Sequence, residues 1–266
     1  MSVQFHPVHG ARLAYRFDGP AGAPVVLLSN SLLASMAMWE PQLAALAGYR
    51  VLRMDTRGHG RSEATPAPYS IAMLADDVIG LLDALALPKV HFVGLSMGGM
   101  IGQVLGARHA DRLHTLALCD TASDMPLRAA WDERIATARR AGVAALAEPT
   151  LQRWFTAPFH ARDPQAVQAV RAMIVSTPVE GYVGCASAVR DLDQTALLKD
   201  IAVPTAVIVG EHDPSCTVAQ SRLLHEHIAG STLQVLPDCA HLSNIEQPAA
   251  FNRALLAHLQ AHLQAH

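Results

Sequence analysis

Cysteine is scarce in this chain: Cys119, Cys185, Cys216 and Cys239 are the four among 266 residues, and they are scattered without metal-ligand spacing. That spacing argues against a thiolate metal site and for a reducing setting. Lysine and arginine form no run and the net charge is only −3, which argues against a nucleic-acid surface or a polybasic membrane patch. No uninterrupted apolar run approaches the ~20 residues needed to span a bilayer. The opening MSVQFHPVHG lacks the charged-then-apolar order of a secretion signal. The expectation is a soluble, cytoplasmic protein that acts on a small molecule, with no nucleic-acid or membrane partner, no cofactor and no metal. Monomer and homo-oligomer both stay open.

Hydrophobic residues make up 51% of the sequence, ample for a sizeable core. Residues 3–8 and 12–17 alternate about His9-Gly10 and read as a hairpin. Apolar runs at 25–28, 50–54, 89–92, 113–118, 203–209 and 232–236 read as strands, the first four of them as buried parallel strands. Helical patterns fall at 39–47, 71–85, 97–107, 217–229 and 247–265, with Asp76, Asp77 and Asp83 on the polar side of the second. Strand alternating with helix is the signature of parallel crossover units in a doubly wound sheet. Between 123 and 200 the strand rhythm stops. Helical segments at 131–140, 143–147, 165–176 and 182–191 are punctuated by Pro126, Pro149, Pro158, Pro164 and Pro178, which read as breaks. The expected division is a core domain of residues 1–122 and 201–266 and a helical cap, residues 123–200, inserted across the strand ends.

The centre of the pattern is VHFVGLSMGGM, residues 90–100, where an apolar strand meets Ser96 with Gly94 and Gly98 two places away on each side. G-x-S-x-G is common by chance, but here a strand leads in and a small-residue helix leads out, the setting of a nucleophile elbow. The glycines remove side chains that would collide in so tight a turn. The helix beginning at Met97 aims free N–H groups at the place where an oxyanion would form.

A serine hydroxyl needs a base, and an imidazole base needs an acid to fix its tautomer. Asp213, in the loop GEHDP after a buried strand, and His241, in DCAHLSN after the last strand, can both converge on Ser96. Asp120, at the end of an earlier strand, is the rival acid. Most of the 14 histidines must be solvated or structural. His59, between two glycines, reads as hydrogen-bonded to backbone. His258, His262 and His266 have metal-compatible i, i+4 spacing, but a solvated helix face or fraying tail accounts for them.

With Ser96, Asp213 and His241 in that chain order, the sequence resembles an α/β-hydrolase along its whole length: a mostly parallel sheet of about eight strands flanked by helices, with an inserted helical cap. In that fold, position implies Leu32 and Met97 as the two oxyanion N–H donors. LLSNSLLASMAMW, DTRGHGRS, PYSIAMLADDVIGLLDAL, HFVGLSMGGMIGQ, ERIATARRAG, RWFTAPF, EGYVGCASAVRDLD and AHLSNIEQPAAF together resemble the 3-oxoadipate enol-lactonases. Asn30-Ser31 stands where most related esterases carry His-Gly. Leu33 departs from the family, which usually has glycine there.

The resemblance implies hydrolysis of 3-oxoadipate enol-lactone to 3-oxoadipate in the β-ketoadipate pathway of bacterial aromatic (protocatechuate and catechol) catabolism. The substrate's free carboxylate calls for a cation in the cap, where Arg134, Arg139, Arg140 and Arg153 lie with Trp131 and Trp154. Arg134 and Trp154 are the first choices; for any one of these residues a solvated arginine or core tryptophan is an equal alternative. A broad-range carboxylesterase, a cofactor-free haloperoxidase-like perhydrolase, and a non-catalytic ligand receptor on the same fold remain the competing readings.

Overall fold

A computed structural model describes residues 2–262. Strands β1 (Gln4–Val8) and β2 (Ala11–Asp18) form an antiparallel hairpin. Its two-residue turn puts His9 and Gly10 at φ 45° and 77°, the positive values that match the twist of the flanking strands. There follow β3 (Val25–Ser29), β4 (Arg50–Met54), α1 (Ile71–Ala84), β5 (Val90–Leu95), α2 (Met97–Arg108) and β6 (Leu113–Cys119). Five helices come next without an intervening strand: α3 (Arg128–Ala141), α4 (Ala147–Trp154), α5 (Ala157–Arg162), α6 (Pro164–Ser176) and α7 (Val179–Arg190). The chain then forms β7 (Thr205–Gly210), α8 (Val218–His227), β8 (Thr232–Leu236), α9 (Ser243–Glu246) and α10 (Pro248–Ala261).

The eight strands make one sheet in the order β1-β2-β4-β3-β5-β6-β7-β8, parallel from β4 onward. From β3 the chain passes to β4 on one side and then to β5 on the other, so the direction of winding reverses there. At such a switch the two connecting loops leave in opposite directions and open a crevice beyond the strand ends. β5 and β7 are buried at every residue, which is why they read as unbroken apolar runs.

Several sequence expectations are corrected. The helix expected at 39–47 is a 3-10 helix, Met36–Gln42, with Pro41 inside it and turns beyond; proline has no N–H to continue an α-helical ladder. Pro149, Pro158 and Pro164 stand in the first turns of α4, α5 and α6 and start helices instead of breaking them, because first-turn N–H groups lack intrahelical acceptors anyway. The segment expected as a helix at 143–147 is a 3-10 turn, Val143–Leu146, running into α4. Asp77 is buried, gripped by Arg57 at 2.6 and 2.7 Å, so α1 turns only Asp76 and Asp83 outward. His258 is also buried rather than solvated. The rest of the expected last helix, residues 263–265, and His266 lie outside the described residues.

Among the described residues no single helix is long and apolar enough to cross a membrane; α6 and α7 pass that test only as a pair, and they meet at 98°.

His59 is fully buried with Nδ1 3.3 Å from the Arg57 carbonyl oxygen. Burial holds its pKa down to about 4, from 6.5. An unfolded chain protonates this imidazole below about pH 6.5. The stability it contributes is therefore complete above that value and lost as pH falls toward 4. His59→Gln should flatten that limb of the Tm–pH curve; an unchanged slope between pH 6.5 and 4 would contradict this.

Candidate active site

Ser96 joins β5 to α2 at φ 55°, ψ −116°, a left-handed conformation a serine adopts only under constraint. The constraint is visible. Its N–H donates to the Cys119 carbonyl (2.8 Å) and its own carbonyl accepts from Thr121 Oγ1 (2.7 Å), while Gly98 N–H donates to the Asn30 carbonyl (3.1 Å). A Cβ on Gly94 would lie 2.1 Å from the Gly98 carbonyl oxygen, and one on Gly98 would lie 2.2 Å from that of Ser29. Strand and helix can cross this closely only with glycine at both places.

The loop after β3 is pinned by Asn30, whose Nδ2 donates to the Met54 carbonyl (2.8 Å) and whose Oδ1 accepts from Trp39 Nε1 (2.9 Å). Asn30 is therefore a buried brace for the loop that presents Leu32. Leu33, the departure from glycine, has φ 67°, a conformation that costs a branched residue on the order of 1 kcal/mol. The loop keeps the left-handed bend that glycine would adopt freely. Among the described residues the backbone N–H groups of Leu32 and Met97 have no acceptor within the protein. Leu32 lines the cavity described below; Met97, next to Ser96 in the chain, is fully buried.

His241 Nδ1 lies 2.8 Å from Asp213 Oδ2, with the two side chains 3% and 0% exposed. Asp213 Oδ1 accepts from the backbone N–H groups of Ser215 (2.7 Å) and Cys216 (3.0 Å). A carboxylate so held accepts the Nδ1 proton and leaves Nε2 as the basic nitrogen. The His241 loop is held from the far side by the buried Glu246, whose carboxylate accepts from Ala240 N (2.9 Å) and Thr156 N (3.1 Å). Asp120 is not bonded to His241; its oxygens accept from Gly210 N (2.8 Å) and Ser243 Oγ (2.5 Å).

Donor atoms of Asp213, Cys216 and His241 lie within 4.8 Å of one another, a spacing that would suit a metal ion. The Asp213 oxygens are already committed to His241 and two amides, however, and burial pushes the Cys216 thiol far above its usual range. The arrangement fits a proton-transfer pair better than a ligand set.

Ser96 and His241 both face a cavity of about 790 Å³. No hydrogen bond joins Ser96 Oγ to His241 among the described residues; such contacts commonly tighten only when substrate binds. The opposite wall comes from the helices between β6 and β7 and includes Trp131, Arg134, Arg153, Trp154 and Tyr182. The Trp154 ring lies 5.9 Å from the His241 ring at 35°, and Arg134 sits over Trp131 at 4.7 Å. Neither Arg134 nor Arg153 is in an ion pair among the described residues. Among the described residues Arg153 bonds only Thr150 Oγ1, at 3.3 Å. Burial, and then the charge of Arg134, lower the Arg153 pKa. Burial also raises the Tyr182 hydroxyl to about 12 against the pull of both arginines. Two guanidinium groups thus line one cavity, and neither is ion-paired among the described residues, although Asp124 and Glu133 also line it. Arg139 and Arg140 lie outside it, exposed, with Arg140 3.7 Å from Glu133. Tyr182 had no local signature in the sequence; only the packing of α7 against α3 brings it here.

A family profile described as alpha/beta hydrolase fold matches residues 24–248. The chain is 39% identical over 246 residues to 3-oxoadipate enol-lactonase 2 of Acinetobacter baylyi, covering 92% of each protein. It is 36% identical to a putative carbamate hydrolase, RutD, of Variovorax paradoxus, covering 92% of this chain and 94% of that one. Among solved structures, the enol-lactonase from Burkholderia xenovorans LB400 superposes with a TM-score of 0.95 at 44% identity, covering 97% of this chain and all of the other.

Proposed function

Since this chain belongs to the α/β-hydrolase family, in the branch of the 3-oxoadipate enol-lactonases, we propose that it hydrolyses 3-oxoadipate enol-lactone to 3-oxoadipate in the β-ketoadipate pathway of aromatic catabolism. The cytoplasm is the setting we infer, and four free, buried cysteines agree with it. The observation that carries the reading is the 2.8 Å His241–Asp213 pair opening on the same cavity as a strained Ser96. Residues 1–122 and 201–266 act as the catalytic core and residues 123–200 as a cap over the strand ends.

In this mechanism Ser96 Oγ attacks the lactone carbonyl as His241 Nε2 takes its proton, and Asp213 stabilises the imidazolium. The Leu32 and Met97 N–H groups receive the oxyanion; one such donor typically lowers the barrier by about 3 kcal/mol. Collapse breaks the ring C–O bond. An enolate leaves more readily than an alkoxide, so the proton it takes from His241 need move only late. The enol, still tethered through the acyl group, tautomerises to the ketone, and His241 then activates water to release Ser96.

The lactone's carboxylate is met by Arg134 and Arg153, with Trp131 and Trp154 walling the apolar ring. A charge-assisted hydrogen bond contributes about 1.5–3 kcal/mol. Arg134→Ala and Arg153→Ala should therefore each raise KM for the lactone by about tenfold or more, with a much smaller rise for p-nitrophenyl acetate, which has no carboxylate. Equal rises for both substrates would remove the clamp from the reading. Ester turnover without lactone turnover would shift the assignment to a general esterase. Preferential cleavage of a carbamate would shift it toward the second group of relatives.

A further inference from the structure

The end of β6, residues 119–121, touches the loop of every reacting group. Cys119 accepts from the Ser96 N–H and Thr121 donates to the Ser96 carbonyl, as described above. Between them, Asp120 Oδ1 accepts from Gly210 N at 2.8 Å, at the root of the Asp213 loop. Asp120 Oδ2 accepts from Ser243 Oγ at 2.5 Å, two residues beyond His241. Asp120 is fully buried and, although it is not glycine, has φ 44°, so the fold tolerates a strained backbone to aim this side chain.

We infer that Asp120 is a positioning residue whose carboxyl group cross-links the Asp213 loop to the His241 loop and sets the spacing of the acid–base pair. The inference rests on the reading of Ser96, Asp213 and His241 as the working groups. It gives a different task to a residue that the sequence offered as a rival acid. No arginine or lysine pairs with Asp120 among the described residues. Burial, and then the charge of Asp213, push its pKa well above the carboxylate range. The cross-link itself is geometric: one carboxyl group reaches both loops at once, at 2.8 and 2.5 Å. Asparagine keeps that shape, with its oxygen toward Gly210 N; its NH2 donates to Ser243 Oγ, whose hydroxyl turns from donor to acceptor.

The test measures Asp120→Ala, Asp120→Asn and Ser243→Ala on the enol-lactone and on p-nitrophenyl acetate, well below each variant's melting transition, with Ser96→Ala as control. Asp120→Ala and Ser243→Ala should lower kcat by about tenfold or more on both substrates, with KM within about twofold. Asp120→Asn should recover kcat to within about threefold of the parent. If Asp120→Ala does not fold, Ser243→Ala and Asp120→Asn carry the test. A fall in Tm with kcat unchanged would overturn the inference, because the contacts would then be only structural. Loss in Asp120→Asn as deep as in Ser243→Ala would overturn it too, by making the charge matter and not the spacing. If the ester alone is turned over, the substrate assignment fails and the ester data decide the inference. Turnover surviving in Ser96→Ala would overturn the site reading, and the inference with it.

Discussion

Ser96→Ala should lower kcat for both the lactone and p-nitrophenyl acetate by about a millionfold, the scale seen when a serine nucleophile working with a base is removed. The fold should be indifferent to the change. Among the described residues Ser96 Oγ makes no hydrogen bond, and the contacts that hold the turn run through backbone atoms, Ser96 N to Cys119 and Ser96 O from Thr121. Steady-state assays with burst-phase acylation, beside a thermal melt, separate the two effects. A variant that melts like the parent and still turns over ester at more than about a thousandth of its rate would show that another group makes the attack.

Asp213→Asn should lower kcat by about ten-thousandfold, the scale of the equivalent substitution in serine proteases, and the geometry says why. Oδ1 is committed to the N–H groups of Ser215 and Cys216, so an asparagine must keep its oxygen on that side. Its NH2 then faces His241 Nδ1, which can only accept. The ring proton moves to Nε2, and the nitrogen that should take the serine proton arrives already protonated. The amide cannot flip out of this arrangement without stranding two buried N–H donors. The check is a full kcat and KM determination with the melting temperature. A loss of less than about a hundredfold would point to a different acid, and Asp120 would again be a candidate.

The parallel strands and the turn at Ser96 were legible because their signals are local. β3, β5 and β7 are buried on both faces and so are written as continuous apolar runs, and the crowding between Gly94 and Gly98 spans only five residues. Leu33 showed in the sequence only as a departure from a usual glycine; its positive φ is visible only in the structure. What could not be read depends on partners distant in the chain. Asp77 looks like a surface aspartate until Arg57, from the loop after β4, is laid over it. Proline near a helix reads equally as a stop or a start, so α4 and α5 were hidden behind Pro149 and Pro158. The four candidate arginines of the cap, among eight between β6 and β7, look alike in sequence. Arg134 and Arg153 differ from Arg139 and Arg140 in which wall they face, and of the four only Arg140 is in an ion pair among the described residues. The part of Asn30 as a brace likewise depends on Met54 and Trp39 meeting it from two elements.

The order of the strands in the sheet bears on when this molecule becomes chemically competent. A chain made from its amino end completes β5 and the turn at Ser96 early, yet the acid and base ride on loops that follow β7 and β8, and the last brace, Glu246, comes later still. Each of those strands adds to the growing edge of the sheet, one place farther from β5 than the last. On the proposed triad, a nascent chain that stops short of β7 and β8 therefore holds the serine without its acid and base. On the proposed mechanism the serine gains its base only after β8 has docked and the loop behind it is held by Glu246.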